Sequence, residues 1–157
     1  MKKTTFILAL MVVYSVCFAE AHTDRFLSII GIQPEQTKQE DISSLLGQPN
    51  KIEQEKKQAV WHYTTKEGNF DVYWSNKTAR LEKLSFSSES ISKSNWDNRN
   101  SKYLKSGETN MTEVIKVLGL PKDMTIKSVS QELHYSYQNN VLNLFFRKGK
   151  LVNYCLY

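Results

Sequence analysis

The segment TKQEDISSLLGQP (residues 37–49) returns as TNMTEVIKVLGLP (residues 109–121), with Gly47 and Gly119 separated by 72 positions. In each copy apolar residues stand at i, i+3 and i+4 (Ile42, Leu45 and Leu46; Val114, Val117 and Leu118), which is the spacing of one helix face. Thr37 and Thr109 are the expected N-caps, with Glu40 completing a capping box after Thr37. The two glycines supply a left-handed C-cap, and Pro49 and Pro121 keep each helix from resuming. A helix that starts and stops twice at one spacing restricts the chain to an architecture built in two similar parts.

The residues after each helix repeat as well. AVWHYTTKEGNFDVYW (59–74) falls on QELHYSYQNNVLNLFF (131–146), and both alternate apolar and polar residues around a turn-like KEGN or QNN, a hairpin pattern. RLEKLSF (80–86) and KLVNYCLY (150–157) close the halves at a shift of 70, so the first half carries two extra residues in the preceding turn. KIEQE and TIKSV predict one further strand ahead of each hairpin. The expected fold class is therefore α+β: two tandem repeats, each a short helical segment plus about four antiparallel strands, their sheets joined into one curved surface. The expected boundaries are a signal peptide at 1–21, repeat unit 1 at 22–88, a serine-rich linker at 89–101 and repeat unit 2 at 102–157. A short apolar segment, RFLSII (25–30), precedes the first unit, and Trp96, Tyr103 and Leu104 predict a short helix opening the second.

The leader carries two lysines, an apolar run from Phe6 to Phe18 too short to span a bilayer, and small residues at Ala19 and Ala21, either of which fits a cleavage site. A retained anchor is the alternative. The implied location is periplasmic or secreted, with outer-membrane association left open. Cleavage after Ala21 removes Lys2, Lys3 and Glu20, so 136 residues remain and the formal charge of +5 becomes +4. The lysines are interspersed with acids, without a basic helix or run, which argues against nucleic acid as a partner. Acidic partners, or peripheral contact with an anionic membrane surface, fit better. Cys155 alone survives maturation, so no internal disulfide forms. It reads as a small strand residue or, alternatively, as one half of an intermolecular disulfide.

Alternation assigns the sheet faces. Trp61, Tyr63, Phe70, Val72, Trp74, Leu84 and Phe86 should face the helix, as should Leu133, Tyr135, Leu142, Leu144, Phe146, Tyr154 and Leu156. The opposite parity leaves a polar face with a few aromatics: His62, Asp71, Tyr73, Lys83 and Ser85, then His134, Asn143, Phe145, Asn153, Cys155 and Tyr157. His62, Tyr73, Lys83, His134, Phe145 and Tyr157 are the candidate binding residues, since aromatics and long polar side chains anchor interfaces. Cross-strand pairing alone also explains an exposed aromatic on a sheet.

Nucleophile elbows, HExxH and glycine-rich phosphate loops are all missing from the sequence, so the expectation is a non-enzyme without metal or cofactor. His62 and His134 are repeat mates without carboxylate or cysteine neighbours at metal-ligand spacing. A role for Cys155 as a nucleophile requires a histidine in reach, and His134 is the one on its face.

A short helix ending LGxP, an aromatic hairpin with Trp61-His62-Tyr63, and a closing strand after a polar turn resemble the helix-plus-sheet module of small outer-membrane assembly lipoproteins of the SmpA and OmlA type. Two such modules in tandem resemble the beta-lactamase inhibitory protein family. The resemblance covers most of the mature chain and implies a secreted module that binds through the open face of its sheet. This sequence departs from the inhibitors, which carry a disulfide in each repeat. It departs from the lipoproteins too, because Val16 and Tyr14 give Cys17 a poor context for lipidation. The expected function is an exported, non-enzymatic protein-binding module, a component of or accessory to a bacterial outer-membrane or secretion complex, with its protein partner in the cell envelope. The alternative is a secreted inhibitor of an enzyme such as a beta-lactamase, and a third reading is a small-ligand or enzymatic role at the His134 and Cys155 face.

Overall fold

The computed structural model describes residues 26–88, 104–137 and 140–157. The leader, the linker and Trp96 and Tyr103 lie outside the described residues. Spatially the chain divides into residues 1–31 and residues 32–157. In the first unit residues 26–30 are helical, with Phe26, Ile29 and Ile30 buried at i, i+3 and i+4, and the Gly31 amide closes the turn on the Leu27 carbonyl at 3.2 Å.

Among its described residues the second unit holds two helices, α1 (Gln39–Leu46) and α2 (Met111–Leu118), and eight strands. Four strands come after α1: β1 (Lys51–Gln54), β2 (Gln58–Thr64), β3 (Asn69–Ser75) and β4 (Leu81–Ser87). Four come after α2: β5 (Asp123–Lys127), β6 (Ser130–Tyr137), β7 (Asn140–Arg147) and β8 (Lys150–Leu156). Each strand pairs antiparallel with the next, so all eight form one sheet in sequence order, with β4 paired to β5 and the sheet open at β1 and β8.

The helices start one residue later than the threonines predict. Lys38 is the N-cap of α1, and its amide donates to the Asp41 carboxylate at 2.8 Å, so Asp41 rather than Glu40 supplies the reciprocal contact. Asn110 caps α2 with a complete box: its Oδ1 accepts from the Glu113 amide at 2.9 Å, and the Glu113 carboxylate accepts from the Asn110 amide at 2.8 Å. The threonine hydroxyls are engaged one turn earlier, Thr37 donating to the Gln33 carbonyl and Thr109 accepting from the Lys105 amide. Gly47 and Gly119 do end the helices at positive φ (82° and 81°), but with ψ of −155° and −168° they lie outside the left-handed helical region. That corner of φ/ψ space is essentially closed to any residue with a side chain.

One sheet face is the core. Phe70, Val72, Trp74, Leu84, Phe86, Met124, Ile126, Leu133, Leu142, Leu144 and Phe146 are all buried on it, each large side chain contributing roughly 1.5–3 kcal/mol. Both helices cover this face. Tyr135 donates its hydroxyl to the Gly119 carbonyl at the end of α2 at 3.0 Å, and Tyr63, its counterpart 72 residues earlier, ends beside Ser43 of α1 without reaching hydrogen-bond geometry. The α2 face that meets the sheet is Met111, Val114, Ile115 and Leu118; Val117, expected on it, is 42% exposed.

Two features depart from the parity expectation. Tyr154 and Leu156 occupy the same face as Leu84 and Phe86, yet are 41% and 46% exposed where the latter are 0% and 2%. The cause is strand order: β4 is flanked by β5, whereas β8 is the last strand. Trp61, likewise expected in the core, is half-buried next to the other edge, pairing with the exposed Ile52 of β1. The bulges were not legible at all. Tyr73 pairs with Lys83 but Trp74 with Leu81, leaving Glu82 unpaired; Phe145 pairs with Asn153 but Phe146 with Leu151, leaving Val152 unpaired.

Candidate functional site: the open sheet face

Among the described residues of this unit both helices lie on one side of the sheet, and antiparallel register arranges the residues of the other face in rows across the strands. One row runs Lys51, His62, Asp71, Ser85, Thr125, Glu132, Phe145 and Asn153. A second runs Thr64, Asn69, Ser87, Asp123, His134, Asn143 and Cys155. A third begins Glu53, Val60, Tyr73, Lys83 and Lys127. Tyr157 lies beyond β8, held to Val141 by mutual backbone hydrogen bonds of 3.0 and 3.1 Å. All six candidate residues therefore share one face, though not one spot: His62 and Phe145 stand five strands apart, about 24 Å.

Each histidine has an acceptor on the neighbouring strand. His62 Nδ1 is 2.7 Å from Asp71 Oδ1, and His134 Nδ1 is 2.7 Å from Asn143 Oδ1. With an oxygen facing Nδ1, that nitrogen carries the proton and donates. The remaining nitrogens point toward carboxylates, His62 Nε2 to Glu53 at 3.6 Å and His134 Nε2 to Glu132 at 3.8 Å. Glu53 also meets Lys51 at 2.6 Å, and that hydrogen bond, with the charge behind it, holds its carboxyl below the usual range. His62 is thus set between two acids, while Asn143 replaces the first of them at His134. Sequence reading placed Asp71 and Asn143 on this face but missed their part in fixing the rings, which depends on cross-strand register.

Tyr73 and Lys83 are direct cross-strand partners, and the Lys83 ammonium sits 3.7 Å from the Tyr73 ring centroid. Such a contact contributes roughly 0.5–1 kcal/mol at an exposed site. Phe145 is half-buried between Glu132 and Asn153, and Tyr157 is 73% exposed. The neighbouring Cys155 thiol raises the pKa of the Tyr157 hydroxyl.

Cys155 is half-buried and forms no disulfide. It does not reach His134. Asn143 of β7 stands between them, so the two lie two strands apart, about 10 Å, and the His134 Nδ1 is already engaged by that Asn143. A nucleophile and base in contact, which the enzymatic reading needs, is not formed by this pair. Among the described residues no group of three or more His, Cys, Asp or Glu side chains could hold a metal ion.

No protein-family model and no curated protein sequence matches the chain. A solved structure does. The chain is similar to a candidate beta-lactamase inhibitor protein from Streptococcus mutans, with 19% identity, a TM-score of 0.58, and coverage of 83% of this chain and 93% of that one. At that identity the likeness is one of fold, and it agrees with the inhibitor-type fold expected from the sequence. It gives no support to the SmpA and OmlA type. A DUF4309 family protein, YjgB, from Bacillus subtilis subsp. subtilis str. 168 matches at 11% identity over 76% of each chain, with a TM-score of 0.28 that carries no argument.

Proposed function

We propose that this chain is an exported protein-binding module, made of two copies of one helix-and-four-strand unit, that captures a partner on the open face of its sheet. The supporting observation is a division of labour among the described residues of this unit: α1, α2 and most of the large buried side chains lie on one face, while the opposite face displays Tyr73, Lys83, Phe145, Tyr157 and two histidines held by neighbouring strands. Duplication is supported by features that recur at a shift of 70 or 72: the helix-ending glycines, the bulges and the histidines with their acceptors. The leader favours a partner in a bacterial envelope assembly. The test is the double variant Tyr73→Ala/Phe145→Ala in a tagged mature chain. Loss of two interface aromatics should weaken capture from envelope extract by roughly 2 kcal/mol, about thirtyfold, with circular dichroism and Tm nearly unchanged. A parallel collapse in Tm would mean that the faces are inverted.

A second reading, a secreted inhibitor of an enzyme such as a beta-lactamase, is favoured by the fold likeness to the Streptococcus mutans protein. Fractionation separates the two: co-migration with outer-membrane complexes supports assembly, and recovery from the medium as a free monomer that inhibits a beta-lactamase supports inhibition.

A further inference from the structure

The third row of the open face contains an arrangement that a sheet selected for stability alone would avoid. Lys83 of β4 and Lys127 of β5 stand directly opposite one another at the seam between the two halves. Like charges at directly opposed positions destabilise a strand pair. No carboxylate among the described residues forms an ion pair with either lysine, and the Lys83 ammonium rests on Tyr73, which belongs to the strand on the far side from Lys127. The row continues. One step beyond the Ile126 and Gln131 pair, the ladder brings Lys127 beside Ser130, and Ser130 pairs with Arg147, which is exposed and also without an ion pair among the described residues. Lys150 is next in register, but its ammonium is turned away to the Glu108 carbonyl at 2.8 Å.

Resting on the open-face reading, we infer that Lys83, Lys127 and Arg147, with Tyr73 at one end, form a docking row for a carboxylate-rich segment of a partner protein lying across the strands. Charge complementarity carries the assignment, because among the described residues three cations have no ion-pair partner along one line, Lys83 and Lys127 about 5 Å apart and Arg147 about 10 Å further on. The neighbouring rows explain why the partner is a protein rather than a nucleic acid or an anionic bilayer. On the same face Asp71 and Glu132 stand one row from the cations and Asp123 two rows away, while Glu53 ends the cations' own row beyond Tyr73. A surface covered in phosphate would meet those acids as well as the bases, whereas a protein segment can present acids in a single line.

The experiment measures binding of a short labelled polyglutamate peptide to the mature chain at low ionic strength, beside a DNA duplex and phosphatidylglycerol vesicles. Lys127→Gln/Arg147→Gln should weaken peptide binding about tenfold. The control Lys66→Gln/Lys116→Gln removes two exposed charges, on the β2–β3 turn and on α2, and should leave binding within about twofold. Lys127→Gln alone should raise Tm by about 1–3 °C, since it relieves the opposed pair. Equal loss in the control pair, DNA or vesicles bound as tightly as the peptide, or a lowered Tm for Lys127→Gln would each overturn the inference. Its failure is distinguishable from that of the open-face reading. An envelope partner lost with Tyr73→Ala/Phe145→Ala but indifferent to Lys127→Gln/Arg147→Gln refutes the acidic segment alone, and a partner indifferent to both pairs refutes the open face.

Discussion

Gly68 closes the turn between β2 and β3, and replacing it with alanine tests how closely the hairpin is seated on its neighbour. A methyl group built there would lie 2.3 Å from the Ser87 carbonyl oxygen and 2.8 Å from Cε2 of Phe86. The first is backbone of β4 and the second a ring buried to 2% exposure, so neither yields cheaply. Gly47 supplies an internal control, because it also has positive φ (82°) but nothing lies within 4 Å of its added methyl. Gly47→Ala therefore incurs only backbone strain, about 1–3 kcal/mol, less the few tenths that alanine recovers through the unfolded chain. Gly68→Ala incurs a comparable strain at φ 153° and adds an overpacking cost of about 1–3 kcal/mol, roughly 2–6 kcal/mol together. Urea unfolding monitored by tryptophan fluorescence reads both, with the midpoint falling further for Gly68→Ala at constant slope. Equal midpoints for the two variants would refute the close approach of the hairpin to β4.

Two further substitutions test the caps and the core. Asn110→Ala removes the side chain that accepts from the Glu113 amide and should cost about 1 kcal/mol by thermal or urea melts, whereas Lys38→Ala, whose side chain makes no capping bond, should stay within about 0.5 kcal/mol. Burial holds the Tyr135 phenol far above its ordinary pKa of 10.0, and burial raises Tyr63 as well. A phenol that ionises in the unfolded chain but not in the folded one contributes stability that is complete below pH 10 and lost as pH rises beyond it. Urea melts should therefore show stability falling above that pH, and Tyr135→Phe should flatten the fall while costing about 1 kcal/mol at neutral pH through the lost bond to Gly119.

Helix positions and strand parity were legible because they depend on local spacing: Ile42 and Leu46, or Phe70, Val72 and Trp74, need only their own segment to declare a face. The N-caps were misread by one residue because Thr37 and Thr109 have competing partners in the preceding turn, at Gln33 and Lys105. Tyr154 and Leu156 read like Leu84 and Phe86, and only the order of strands in the sheet separates exposed from buried. The candidate site was legible as a list of outward residues. The grip of Asp71 and Asn143 on the histidines, and the line formed by Lys83, Lys127 and Arg147, required the register of pairs that are distant in sequence.

The outer edge of β8 is tied at its start to the loop before α2. On β4 residues 83–87 pair with five residues of β5. On β8 the Leu151 amide and carbonyl are already taken by Thr109 and Gly107, each at 2.8 Å; Ser106 donates to the Val152 carbonyl; and the Asn153 side chain occupies the Tyr154 amide. The loop before α2 thus fixes the start of that edge at Leu151 and Val152, the positions equivalent to Leu81 and Glu82 of β4, so the last strand is anchored to the segment that leads into its own helix as well as to β7.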